Sequence, residues 1–307
     1  MHASYLLITP AKNEESHIGS LIESVVAQTV LPQKWVIVDD NSNDQTSAIA
    51  NSYASRYEFI QVIRAGTEND RNFSSKARAF RVGYERVLDV PHCFVGNLDA
   101  DVTFDADYFE KLLHNFQQAP RLGIAGGLIL EKIRGRYQAQ QTSLNSVAGA
   151  VQLFRRKCFE EIGGYQELRS GGIDSLAEIM ARMHGWDVRT FEDLHVMHHR
   201  QVTTGSRHVL AARFRQGSNH YVMGYGLLFQ LASSAARLAE QPVLIGSIST
   251  LAGYAVAALQ RKPAQVSTEV GEYLRSEQRL RLRSFVQERP FARRKTLSPE
   301  RTARNTG

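Results

Sequence analysis

The residues with the densest chemistry lie in Val95 to Asp101, VGNLDAD, where Asp99 and Asp101 stand two apart behind an apolar-leaning run. At the strand period of two, both carboxylates point the same way. A strand that ends at Leu98 or Asp99 would set them on its carboxyl edge, where open α/β sheets bind ligands. Converging carboxylates repel unless a cation lies between them, and a hard divalent ion that also bridges phosphate oxygens relieves the repulsion. The competing reading is an Asp-rich turn (Asp99, Asp101, Asp105, Asp107) whose side chains cap the next helix. Local sequence leaves both readings open.

The elements that would carry these residues follow from periodicity. Tyr5 to Thr9 is an apolar run of strand length stopped by Pro10, and Ile18, Leu21, Ile22, Val25 and Val26 place a helix over Glu15 to Gln28. Trp35 to Val38 is a second strand, ending in Asp39-Asp40-Asn41-Ser42-Asn43-Asp44, with Asn43 or Asp44 available to cap the next helix. Phe59 to Ile63, the helix Lys76 to Leu88 and the strand His92 to Leu98 continue the alternation. Strand and helix in turn, with short connections, predict an α/β fold with a mostly parallel central sheet covered on both faces. Polar clusters then close three strands: Pro10 to Glu14, Asp39 to Asp44, and Asp99 to Asp101. No GxGxxG or GxxxxGK[ST] element supplies a glycine cradle, so an acid-held metal becomes the expected handler of phosphate.

These residues resemble the inverting nucleotide-sugar glycosyltransferases of family 2, which have the GT-A fold. The motifs are TPAKNEE (Thr9–Glu15), VDDNSNDQT (Val38–Thr46), SSKARAFRVG (Ser74–Gly83), NLDADV (Asn97–Val102), GGYQELRSGGIDSLAEIMARMHGW (Gly163–Trp186) and VMHHR (Val196–Arg200). The resemblance implies that Pro10, Ala11, Asn13 and Glu14 lie near the base and ribose, and that Asp39 bonds the uracil ring with Asp40 beside it. It brings Lys76 toward the phosphates, where its charge would offset theirs; the plain alternative is a solvated helix lysine. It makes Asp99 the residue near ribose and metal, and Asp101 the direct ligand of Mn²⁺ or Mg²⁺. His198 or His199 would complete that shell, His198 being favoured by the alternation Val196-Met197-His198; the alternative is a pair of surface histidines. Asp174 would be the base that deprotonates the acceptor hydroxyl, or else the N-cap of a helix Ser175–His184. Members usually carry Glu-Asp here, and this chain has Ile173-Asp174, a departure that bears on the acceptor pocket. Gly163-Gly164-Tyr165 would turn close to the donor sugar, and the charged stretch after Leu130 would form a loop over the donor.

The implied reaction moves a sugar from a nucleotide sugar, chiefly a UDP-sugar, to a saccharide or lipid-linked acceptor in cell-envelope or exopolysaccharide synthesis. Two alternatives stand beside it: a nucleotidyltransferase, and a non-catalytic sugar-nucleotide-binding protein on the same fold. The catalytic domain is expected over residues 1–215.

The remainder of the chain differs in composition. Tyr221–Leu238 and Val243–Leu259 are apolar and rich in small residues, and Arg200 to Asn219 reads as a polar lid or link before them. Residues 220–262 are therefore expected to be membrane-associated, as a hairpin that spans or lies on the bilayer, with a pair of soluble or interfacial helices packed on the catalytic domain as the alternative. Residues 263–307 read as a basic helix and a disordered basic tail. From Arg261 onward there are 12 Lys/Arg against 5 Asp/Glu, which leaves the first 260 residues near −1 of the total +6. That distribution excludes a nucleic-acid groove on the main domain and directs the tail to an anionic membrane surface. The expected location is the cytoplasmic (inner) membrane with the catalytic domain facing the cytoplasm, or the cytoplasm as the alternative. The N-terminus reads as no signal peptide. Cys93 and Cys158 lack metal spacing and are expected to be reduced.

Overall fold

The structure is a computed structural model, which describes residues 4–65, 74–133, 136–140, 143–200, 206–238 and 244–287. The first half alternates β1 (Tyr5–Ala11), α1 (Ile18–Val26), β2 (Lys34–Asp39), α2 (Thr46–Ala54), β3 (Ile60–Arg64), α3 (Ser74–Glu85) and β4 (Phe94–Leu98). The second half adds β5 (Val102–Phe104), α4 (Tyr108–Gln118), β6 (Leu122–Ile133), β7 (Arg136–Ala139), β8 (Val151–Arg155), α5 (Arg156–Glu161), α6 (Ile173–Met183) and β9 (Asp187–His198). One sheet runs β3-β2-β1-β4-β8-β6-β9-β5, with β7 paired to β6.

The period of two explains the double-sided core. Tyr5 and Leu7 of β1 and Trp35 and Ile37 of β2 face one cluster, with α1 and α4. Leu6, Ile8, Val36 and Val38 face the other, with Phe80 of α3 and Phe159 of α5. A strand buried on both faces carries a continuous apolar run, and β1 and β2 do. The expected mostly parallel sheet is corrected to a mixed one. Among the described pairings β1–β2, β1–β4, β2–β3 and β6–β9 are parallel, whereas β4–β8, β6–β8, β5–β9 and β6–β7 are antiparallel. The antiparallel partners come from the second half, where βαβ alternation stops. There the stretch expected as a loop over the donor is instead the end of β6 and the hairpin strand β7.

The C-terminal helices are α7 (Ser206–Val222), α8 (Leu227–Ala236), α9 (Ile245–Leu259) and α10 (Thr268–Gln287). They overturn the membrane expectations. Among the described residues no helix is long and apolar enough to cross a membrane. The first expected span is divided at Gly224, φ +81°, between the end of α7 and the 10-residue α8. The second yields α9, whose 15 residues extend roughly 22 Å against about 30 Å of hydrocarbon. The C-terminal membrane partner and the membrane location are corrected accordingly, since the apolar spans that would have carried them are not formed. The small residues of α9 serve a crossing with α7 instead: a Cβ at Gly253 would lie 1.9 Å from the Phe214 carbonyl oxygen, and one at Gly217, in the stretch expected as a lid, 1.8 Å from that of Thr250. The polar members Gln230, Ser234, Ser247 and Thr250 are buried among these helices. The expected lid is the first part of α7 from residue 206 onward. The basic tail from Pro290 lies outside the described residues.

A third apolar cluster joins this helical region to the sheet domain. Ala77, Leu168, Ile173 and Leu176 pack against Met223, Val270 and Leu274.

Candidate active site

Three strand ends deliver the polar residues to one edge. After β1, Asn13 takes φ +55° and stitches its loop to the next: its Oδ1 accepts from the Asn43 backbone N–H at 2.9 Å, and its own N–H donates to Ser42 Oγ at 3.0 Å. Asn tolerates this left-handed conformation better than most residues. The Glu14 N–H donates to Thr46 Oγ1 at 2.7 Å; Asp44, one of the two expected caps, precedes the N-cap position Gln45 and accepts from the Thr46 N–H at 3.0 Å. Lys12 Nζ lies 3.3 Å from Asp40 Oδ2. Asp39 is buried, and its Oδ1 accepts from the Ser42 N–H at 2.9 Å. It does not line the cleft.

The cleft has two adjoining chambers of about 760 and 440 Å³ that share Lys12, Asp40, Ser75, Lys76, Asp99 and His198. Pro10, Ala11, Glu14, Asp101 and Arg200 line the smaller. Asn13, Gly149, Ile173 and Asp174 line the larger. Lys76 is not a free surface lysine: its Nζ lies 2.5 Å from Asp99 Oδ1 and donates to the Gly149 carbonyl at 3.1 Å. Asn97 Nδ2 donates to the same carbonyl at 2.8 Å. On its other side Gly149 abuts the base candidate, since a Cβ there would meet Asp174 Oδ2 at 2.5 Å. One glycine thus separates the lysine–aspartate pair from Asp174.

Asp174 is not the N-cap. α6 starts one residue earlier, behind Gly172 at φ +93°, without a side-chain cap. Its carboxylate is left to face the cleft. The preceding loop is held by the C-terminal region: Asn219 Nδ2 of α7 donates to the Ser170 carbonyl at 2.5 Å, and the Arg169 N–H donates to Oε1 of Gln265, in the connection between α9 and α10, at 3.1 Å. Beneath it, Glu178 accepts from the Val147 N–H at 2.7 Å and Ser146 Oγ at 2.9 Å. Burial pushes its carboxyl up to about 7, against those hydrogen bonds and nearby Arg182. In the expected Gly163–Gly164 turn, Gly164 abuts the Phe159 ring and Gly163 the Gln166 side chain, and neither lines the two chambers.

At the other carboxylate, His198 Nε2 stands 3.4 Å from Asp101 Oδ2, and Arg200 Nε 2.8 Å from the same oxygen. Arg200 also pairs with Glu14. Burial would raise the Asp101 carboxyl, but the hydrogen bond from His198 and the charges of His198 and Arg200 hold it below the usual range. His198 is raised in return by that hydrogen bond. Burial outweighs Arg200 at Glu14 and leaves its carboxyl raised. His199 turns elsewhere, with Nε2 2.7 Å from Thr103 Oγ1 and its ring stacked on His17.

Two donors on one octahedral ion with bonds of about 2.1 Å stand roughly 3 Å apart, so the Asp101–His198 spacing suits a shared cation. A carboxylate oxygen is a ligand type for both Mn²⁺ and Mg²⁺. Among the described residues no group of three His, Cys, Asp or Glu converges for a metal, and Asp99 is engaged by Lys76. Such an ion would need phosphate oxygens and water to fill its shell. Arg200, Gly149, Glu178, Asn219 and Gln265 had no assigned part in the sequence reading. Only Gly149, in the small-residue run SVAGAV, carried a visible signal of close approach.

The family model described as Glycosyl transferase family 2 matches residues 6–172, more than half of the chain, and the chain belongs to that family. A 4,4'-diaponeurosporenoate glycosyltransferase of Staphylococcus aureus (strain bovine RF122 / ET3-1) is 32% identical over 124 residues, 40% of this chain and 31% of the relative. The match thus spans less than a third of that relative's length. In fold, the chain is similar to a mannosyltransferase, PcManGT, from Pyrobaculum calidifontis in complex with GDP-Man and Mn²⁺ (TM-score 0.52, 17% identity, 92% of this chain and 83% of that one). It is also similar to GalNAc-T7 with UDP, GalNAc and Mn²⁺ (0.57, 14%, 92% and 57%) and to residues 1–349 of TarS from S. aureus (0.52, 16%, 94% and 81%).

Proposed function

We propose that this chain is an inverting glycosyltransferase that moves a sugar from a nucleotide sugar, a UDP-sugar in the first instance, to a saccharide or lipid-linked acceptor in cell-envelope or polysaccharide synthesis. The observation that carries this reading is one cleft lined by both Asp174 and the group Lys76, Asp99 and His198. Inversion requires a carboxylate on the face opposite the leaving diphosphate. Asp174 takes the proton of the acceptor hydroxyl as its oxygen attacks the anomeric carbon. Lys76 offsets phosphate charge as the bond to the diphosphate breaks. Pro10, Ala11, Asn13 and Asp40 border the nucleotide, with Asp39 bracing the turn beside them. Asp101 and His198 would hold Mn²⁺ or Mg²⁺, which supplies Lewis-acid stabilisation of the diphosphate when bound.

A second reading is a sugar-nucleotide-binding protein that performs no transfer. The cations Lys76 and Arg200, which already balance Asp99 and Asp101 from within the chain, favour it. A nucleotidyltransferase is disfavoured, because Pro10 to Glu14 lacks a glycine-rich, lysine-bearing phosphate loop. Purified chain incubated with Mn²⁺, a panel of UDP-sugars and GDP-mannose, and candidate acceptors separates the cases. Transfer predicts nucleotide release with at least one donor, and an inverted anomeric centre in the product. Binding without release for every pair supports the second reading, and failure to bind any nucleotide sinks both.

A further inference from the structure

Both carboxylates of the NLDAD run carry a cation supplied by the chain, and the two cations are held differently. Lys76 is anchored twice, on Asp99 and on the Gly149 carbonyl. Arg200 follows the end of β9, its side chain 56% exposed, and reaches in to two carboxylates at two strand ends, Glu14 and Asp101. Glu14 and Asp101 are only 8% and 5% exposed, so an uncompensated charge on either would be costly. The guanidinium provides that compensation. The oxygen it holds, Asp101 Oδ2, is also the one that His198 Nε2 faces at 3.4 Å. A divalent ion held by Asp101 and His198 and the guanidinium of Arg200 therefore compete for one carboxylate.

We propose that Arg200 is a resident counter-ion which a divalent ion must displace, and that the donor's diphosphate receives the released guanidinium. Arg200, Lys12 and Lys76 line the same chamber as Asp101, and a planar guanidinium matches phosphate oxygens in bidentate fashion. Metal and nucleotide then bind cooperatively. Either ligand weakens the Arg200–Asp101 pair that opposes the other, and the coupling is reciprocal. The proposal rests on the nucleotide-sugar reading of the cleft. It assigns Arg200 a part in the order of binding rather than in the chemical step.

The test is a Mn²⁺ titration of the full chain, followed by the electron paramagnetic resonance of free Mn²⁺, without nucleotide and again with saturating UDP. Arg200→Gln is expected to bind Mn²⁺ about 2- to 5-fold more tightly than the unmodified chain when UDP is absent, the scale of one partly exposed charge pair removed from a competing equilibrium. The enhancement of Mn²⁺ affinity by UDP should shrink by a similar factor. Arg200→Lys, which keeps the charge, should stay near the unmodified value. Arg200→Met keeps the apolar stem and repeats the measurement should the glutamine variant fold poorly. Unchanged or weaker Mn²⁺ binding in both the Gln and Met variants overturns the proposal. If the unmodified chain binds neither UDP nor GDP with Mn²⁺, the nucleotide-sugar reading itself fails, which is a different result.

Discussion

At Asp174 one carboxylate either accepts a proton or serves the fold, and two substitutions separate these roles. Asp174→Asn removes the base without changing shape, so transfer should fall by about 10²–10⁴-fold while UDP affinity stays within about twofold. Equal loss of both would make the residue structural. Gly149→Ala tests the spacing: its Cβ would meet Asp174 Oδ2 at 2.5 Å, displacing the carboxylate while leaving the Gly149 carbonyl for Lys76. Turnover should drop at least tenfold, with UDP binding largely kept. Glu178 makes a separate prediction through pH. Its folded carboxyl is raised to about 7, so the folded chain holds a proton that the unfolded chain releases nearer 4.3. Its favourable contribution is present below that lower value and lost as pH rises toward 7. Glu178→Gln should flatten this part of the melting-temperature profile. A slope that survives the substitution would assign it to other groups.

At the scale of elements, the small residues of Val243–Leu259, where α9 forms, show why composition misled. Gly, Ala and Ser at close spacing suit helix contact in lipid and in water alike, and only the partner distinguishes the cases. Here the partner is α7, through Gly217 and Gly253. Gly253→Ala would push a methyl onto the Phe214 carbonyl and part the helices, costing about 2–4 kcal/mol and lowering the melting temperature correspondingly. A variant as stable as the parent would mean that the crossing relaxes freely. The strands β1, β2 and β4 were legible because both faces are buried, which writes a continuous apolar run. The mixed pairing of β6, β8 and β9 was not, since antiparallel neighbours are set by contacts distant in sequence. The polar strand ends were legible by residue type, whereas the hydrogen bond that Asp39 accepts from the Ser42 N–H, joining side chain to backbone, was not. Arg200 was visible only as the last residue of VMHHR. Its two partners lie 186 and 99 positions away, a distance no local pattern reports.

For the whole molecule, the question is whether the helices after residue 205 are an appendage or part of the catalytic fold. They cover Leu168, Ile173 and Leu176 with Met223, Val270 and Leu274. They also hold the Ser170 carbonyl through Asn219, their α9–α10 connection holds the Arg169 N–H through Gln265, and Arg182 of α6 pairs with Glu277 of α10 at 2.9 Å. Losing that cover would return several large apolar side chains to water at about 1.5–3 kcal/mol each. The sum is comparable with the roughly 5–15 kcal/mol by which a whole domain is stable. A chain ended at residue 205 is therefore expected to be unfolded or to melt far below the full chain. The full chain should unfold in one transition, with the α6 and α10 amides exchanging hydrogen at similar rates. Replacing Asn219 and Gln265 together by Ala is the milder version: the fold persists, the amides of 169–174 exchange faster, and turnover falls with UDP affinity retained. A truncated chain that melts within a few degrees of the parent would instead make the helices an accessory, and Asp174 would then owe its position to the sheet domain alone.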